Sequence, residues 1–273
     1  MAIDGKAVEP YVFLLDLDGT MQGNVLPQLN EYELHEAMRV HDKRVRYSVN
    51  QLLSDMARGL IRPHLREALV DIKAKHPEVE FFVYTASSDQ WAKFLLPKIM
   101  RFLFKGGDGI VNPTFLTRSD CLPTGMKSIA KVRPKVARAL RAKYPRATFK
   151  HMYLVDNSFV LHEHEAARLI HCPTYDYKVV NCPLRNFPPQ VLERHFRHLS
   201  MLLLREPSKS KLHFIQKYYN RAFKEFVETD ANNARHANDT YWLRFRGVFM
   251  RYRGLTDRNI AAVVEKLKEA ART

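Results

Sequence analysis

Three short runs of consecutive apolar, aromatic and β-branched residues stand out from a more polar chain: Tyr11–Leu15, Glu80–Tyr84 and His151–Val155. Such runs, with no alternation to a polar face, predict strands buried on both sides. Between them the apolar positions recur at helical spacing. Asn30 to Ala57 is long, charged and periodic and predicts one helix. Arg62-Pro63-His64-Leu65 begins another, with Pro63 tolerated in its first turn. Ser88 to Phe104 predicts a helix capped by Ser87 or Ser88, with Trp91, Phe94, Leu95 and Ile99 as its core-facing stripe. A basic helix is predicted from Arg133 to Tyr144, a short one from Glu163 to Leu169, and a turn at Gly106–Gly109. Strands separated by helices predict an α/β fold, a Rossmann-like parallel sheet with helices on both faces.

The second part of the chain reads differently. Four prolines between Cys172-Pro173 and Pro188-Pro189 mark a linker or irregular crossing. Beyond it Val191–Leu204, Leu212–Thr229 and Arg258–Ala271 predict helices without intervening strands. The expected organisation is a domain over 1–186 with a helical insert at about 22–60, followed by a basic, mainly helical region over 187–273. Tyr241 to Arg253 interleaves arginine with aromatic residues. Read at period two, it predicts a half-buried strand or a protein-docking edge; the same composition also suits a nucleic-acid face.

Composition narrows the class. The 273 residues are 46% hydrophobic and 27% charged, which excludes a disordered or fibrous chain. No apolar run approaches the length of a membrane span, and MAIDGKAVEP lacks the apolar stretch of a secretory signal. Three cysteines, Cys121, Cys172 and Cys182, do not make a disulfide framework and favour a reducing, intracellular compartment, cytoplasm or nucleus. The net charge of +15 draws the chain to polyanions. The excess is denser toward the end: Phe187–Thr273 holds 17 of the 44 Lys and Arg but only 9 of the 29 Asp and Glu. His162-Glu163-His164-Glu165 alternates its residues, so a helix would not gather them on one face, and a solvated helix is expected there.

The chemistry lies where the strands end. The first runs into Asp16-Leu17-Asp18-Gly19-Thr20, the second into Thr85-Ala86-Ser87-Ser88 and the third into Asp156-Asn157-Ser158. In open parallel sheets, ligands bind beyond the carboxyl ends of the strands. Two carboxylates two residues apart can divide the work: one attacks an electrophile or holds a metal, the other moves a proton. An ordinary Asp-Gly turn is the competing reading. Asp156 adds a third carboxylate, and oxygen ligands around one point suit Mg²⁺, which also relieves their mutual repulsion. Thr85, with free N–H groups at a helix start, reads as a phosphate site or as a plain cap.

Together these motifs resemble the haloacid dehalogenase superfamily of phosphotransferases. Arg62-Pro63-His64-Leu65, Tyr84-Thr85-Ala86-Ser87 and Val155-Asp156-Asn157-Ser158 are similar to its NLI-interacting-factor-like (FCP/SCP-like) phosphatases. The resemblance covers roughly Val12 to Ala167. It implies that Asp16 is the nucleophile, forming an aspartyl-phosphate, and a Mg²⁺ ligand. It implies that Asp18 is the general acid and base and lends its main-chain carbonyl to the metal. Thr85 and Ala86 would bind the phosphoryl oxygens, Asp156 would complete the metal site, and Thr20 and Asn157 would support it. The family's lysine matches Lys127 in Gly125-Met126-Lys127-Ser128-Ile129, with Lys131 as the alternative.

The chain departs from that pattern at Gly19, where the family's polymerase-tail phosphatases carry a bulkier residue, and at Phe159, where they carry proline. It also has the Gln22–Gly59 insert and an added basic helix before Asp156. Two functions therefore fit the sequence. One is a Mg²⁺-dependent phosphatase acting on a phosphoserine or phosphothreonine protein. The other is a binding or assembly protein that keeps the fold and docks through its basic surface on nucleic acid or a large complex, such as a virus particle.

Overall fold

The computed structural model describes residues 8–39, 43, 46–105, 109–179 and 233–254. The helices predicted over 191–204, 212–229 and 258–271, the turn at 106–108, and Cys182 lie outside those residues. The chain forms two compact units: residues 1–22, 61–175 and 239–273 make the first, and 23–60 with 176–238 make the second.

The first unit is α/β. Strands β1 (Tyr11–Leu15), β2 (Val79–Val83), β3 (His151–Asp156) and β4 (Leu169–His171) form a sheet in the order β2-β1-β3-β4, every pair parallel. Leu15 stands opposite Val83 on one side and Val155 on the other. The three predicted strands are therefore present and in register; the three-residue β4 was not predicted.

Both faces of the sheet are buried, as the unbroken apolar runs require. Side chains alternate across a strand. Val12 and Leu14 of β1 face one way, joining Phe82, Met152 and Leu154 in a core with Ile129, Val132, Val136 and Leu140 of helix α5 (Ile129–Leu140). Phe13 faces the other way. Its ring lies 5.7 Å from that of Tyr153, and 5.9 and 5.4 Å from those of Phe245 and Phe249. The last two belong to helix α6 (Tyr241–Gly254). Each such buried aromatic contributes about 2–3 kcal/mol.

Helix α6 corrects one expectation. Tyr241–Arg253 is a helix rather than a strand, because Trp242, Phe245 and Phe249 are spaced by three and four and share one face. Trp242, Phe245 and Phe249 are spent on the core and are not free to stack bases. The expected boundary at 186/187 lies outside the described residues, and α6 packs within the first unit.

The remaining α-helices described in this unit are α3 (Leu65–Lys75) and α4 (Asp89–Phe104). Ser88 caps α4, its hydroxyl accepting from Trp91 N–H, and Trp91, Leu95 and Ile99 are buried as predicted. Helix α5 starts four residues before the predicted Arg133, behind Ser128, whose hydroxyl accepts from Lys131 N–H. Glu165 also accepts there, from the N–H groups of Ile129 and Ala130. The carboxylate in His162–Glu165 is thus a cap on a neighbouring helix rather than a purely solvated group.

In the second unit, the single predicted helix over 30–57 is two, α1 (Leu26–Arg39) and α2 (Val49–Asp55), with a π-helical turn over Met56–Leu60. Asp55 is buried there and accepts from the side-chain amides of Gln28 and Gln51.

Candidate functional site

Strand β1 is flanked by β2 and β3, so the chain reverses its winding at β1 and opens a crevice at the strand ends. There lies an open pocket of about 350 Å³. Asp16, Asp18, Thr85, Ala86, Lys127, Asp156 and Asn157 all line it. The sequence reading had these residues on four separate segments, and the fold brings them to one place.

Asp16 follows β1 directly, its N–H held by Val155 O at 2.9 Å. Asp156 ends β3. Between their carboxylates sits the Lys127 ammonium, which donates to Asp16 Oδ1 and, at 2.7 Å, to Asp156 Oδ2. Lys127 is fixed from its main chain: its N–H donates to Val160 O and its carbonyl accepts from His162 N–H. Lys131 is directed elsewhere, to the Ser119 and Cys121 carbonyls, so Lys127 is the lysine of this pocket. Asp156 is held further by the N–H and hydroxyl of Ser158, both on Oδ1.

Asp18 points to a different part of the pocket. Its carboxylate accepts from Gln22 Nε2 at 2.9 Å and from Ser87 Oγ at 2.8 Å. Gly19 then turns with φ +78°, and a Cβ there would stand 2.7 Å from Asn157 Nδ2. That proximity and the left-handed φ are the local reasons for glycine here. Thr20 ties the first loop to the third: its hydroxyl accepts from Asn157 N–H at 3.1 Å.

Thr85 lies three residues before the α4 cap, so the expected helix-terminus site is not the arrangement found. The Ser87 N–H is spent on Thr85 Oγ1. The N–H groups of Ala86 and Asp18 reach no acceptor among the described residues and remain donors on the pocket wall.

Electrostatics follow from burial. Desolvation, opposed by Lys127 and reinforced by Asp156 and Asp18, pushes the Asp16 carboxyl up to about 7. Burial also raises the Asp18 carboxyl, against the hydrogen bonds from Gln22 and Ser87. Burial pulls Lys127 down, but Asp16 and Asp156 outweigh it and keep the ammonium charged. Cys172, buried near Thr20, has its thiol pushed up to about 11 by burial and is not a nucleophile at neutral pH.

Three carboxylates against one ammonium leave the pocket short of positive charge when ionised. Hard oxygen donors with that deficit fit Mg²⁺ in chemistry. They do not form three converging side-chain ligands: no such cluster of His, Cys, Asp or Glu exists among the described residues. The Asp18 side chain is turned to Gln22 and Ser87. Its carbonyl, which accepts no hydrogen bond among the described residues, is the oxygen left to join Asp16 and Asp156.

Gln22, Ser87 and Ser158 escaped the sequence reading as site residues. Ser158 alone had a local signal, the Asp-x-Ser spacing of a side chain that bonds its own loop. No described helix is long and apolar enough to cross a membrane, and the described cysteines, Cys121 and Cys172, are free. The chain matches no protein-family model and no curated protein in sequence, so its likeness to any family rests on its motifs and on the geometry of this pocket.

Proposed function

We propose that the chain is a haloacid-dehalogenase-type phosphatase that hydrolyses phosphomonoesters, with phosphoserine or phosphothreonine proteins as its substrate class. The observation that carries this reading is the buried Lys127 bridge between Asp16 and Asp156, at the strand ends and in one pocket with Asp18 and Thr85. Phosphoryl transfer asks for in-line positioning and for cations around a spread negative charge, and little else.

In this proposal an Asp16 carboxylate oxygen attacks phosphorus, and the bond from phosphorus to the ester oxygen breaks. Asp18, whose raised proton affinity suits an acid, gives its proton to the leaving oxygen. The Asp18 carboxylate then takes a proton from water as that water's oxygen attacks the aspartyl-phosphate. The bond from phosphorus to Asp16 breaks, and phosphate leaves. Lys127 offsets the charge on Asp16 and the phosphoryl group, and the Thr85 hydroxyl with the Ala86 N–H bind phosphoryl oxygens. Bound Mg²⁺, held by Asp16, Asp156 and the Asp18 carbonyl, would neutralise charge and polarise the phosphoryl group.

Hydrolysis of 4-nitrophenyl phosphate with and without Mg²⁺ tests the proposal. Activity should need the metal and fall at least a thousandfold in Asp16→Asn and Asp18→Asn. A wild-type protein inert under all metal conditions would favour the assembly reading, for which Arg244, Arg246 and Arg251, exposed on α6, provide a basic surface.

A further inference from the structure

The loop that carries Asp16 and Asp18 is held from behind by residues far away in sequence. Arg62 is buried, and all of its guanidinium nitrogens are used. Nε and Nη2 grip the two carboxylate oxygens of Asp239 at 3.0 and 2.8 Å. Nη1 donates to Pro173 O at 2.9 Å and, at 3.5 and 3.4 Å, reaches Gly19 O and Thr20 O. The guanidinium lies over the rings of Tyr175 and Tyr241. Thr20 O accepts a second bond, from Trp242 Nε1 at 3.3 Å. Gly19 O also accepts from Tyr175 N–H at 2.8 Å.

The peptides on either side of Thr20 are therefore pinned through their oxygens, while the Thr20 side chain is pinned to Asn157. Asp18 is one residue from the first of these peptides. A rotation at Gly19 would swing both its carbonyl and its carboxylate, and glycine offers little intrinsic resistance to such a rotation. Resistance comes instead from a desolvated guanidinium and a buried indole on the far side of the loop. Asp239 also accepts from Tyr241 N–H at the start of α6, so the anchor and the helix form one piece.

We infer that Arg62 and Trp242 are positioning residues for the Asp16–Thr20 loop, and that α6 belongs to the reacting unit. In its kinetic expression this rests on the phosphatase reading; in its physical content it is a coupling between the pocket and α6, which must be reciprocal. Displacement of 1 Å at reacting groups costs rate without needing to cost substrate affinity.

The test uses the full chain. Trp242→Phe keeps an aromatic ring and loses only the N–H donor to Thr20, and Arg62→Lys keeps the charge without the fork. Both should lower kcat on 4-nitrophenyl phosphate five- to twentyfold with KM within twofold. Phe249→Leu loosens α6 at a point that touches Phe13 and not the loop; it should keep kcat within twofold at a comparable fall in melting temperature. Equal kcat losses in all three variants, or none in Trp242→Phe, would overturn the inference. A second readout does not depend on turnover. The chain has two tryptophans, and the indole N–H resonance of Trp242 should shift on adding Mg²⁺ with orthovanadate. If the wild type hydrolyses nothing, the phosphatase reading fails and this shift alone decides: movement supports the coupling, and a stationary resonance refutes it.

Discussion

Lys127→Met removes the single cation among the described residues lining the pocket while keeping most of the side chain's volume. The Nζ–Asp156 contact of 2.7 Å corresponds to about 6 kcal/mol of Coulomb attraction at an effective dielectric of 20, and the Asp16 contact adds a similar amount. Desolvation of the three ions, at several kcal/mol each, offsets most of this. The variant keeps the desolvation of two carboxylates and loses their partner, so the expected loss is about 3–5 kcal/mol, a large share of an ordinary domain's stability. Urea unfolding followed by circular dichroism at pH 8 measures it. At pH 5 the loss should shrink, because a buried carboxyl without its ammonium takes up a proton more readily than the same group in the unfolded chain. Lys127→Met/Asp16→Asn should recover at least half of the pH 8 loss. A loss below about 1 kcal/mol at pH 8, or one equal at both pH values, would refute the reasoning.

Asp16→Asn alone should be more stable than wild type at pH 8. The Asp16 carboxyl titrates at about 7 in the fold, from an ordinary 3.8, so its contribution is intact below about pH 4 and lost as pH rises through 7. The difference is on the order of 4 kcal/mol, and thermal melts at pH 4 and 8 should show the two proteins converging at the lower value. Mg²⁺ should raise the melting temperature more at pH 8 than at pH 5, with about 2.7 kcal/mol gained at a hundredfold excess over its dissociation constant. Asp156→Asn should abolish that rise; its persistence would place the ion elsewhere. Gly19→Ala puts a methyl group against Asn157 at a left-handed φ and should cost at least about 1–2 kcal/mol. A neutral result in denaturant melts would mean that the loop yields.

Much of this site was legible because it is written at strand ends. A strand buried on both faces declares itself by an apolar run, and the first polar residue after it must sit at the carboxyl end of the strand. That places Asp16, Thr85 and Asp156 together at one end of the sheet from the sequence pattern alone. Helix boundaries were less legible. The start of α5 depends on Ser128 and on Glu165, the latter thirty-odd residues away in sequence. The stretch Tyr241–Arg253 satisfies both a period of two and a helical period over its short length. Only the sheet face that receives Trp242, Phe245 and Phe249 decides between them. The partners of Asp18 were hidden for a similar reason, since Ser87 comes to it from the loop after another strand and a glutamine four residues on has no distinctive spacing.

Helix α6 packs on β1 across more than two hundred residues of intervening chain. Such a contact forms late: its closure entropy is borne before the burial that rewards it. During synthesis, strands β1 to β3 leave the ribosome with Phe13 and Tyr153 bare on one face, and they stay so until Phe245 and Phe249 have been added. A nascent chain stopped at residue 175 would thus hold every pocket aspartate and yet expose an aromatic sheet surface. It is a species for chaperones to shield, and competence to bind anything at the crevice would arrive only once α6 has been made.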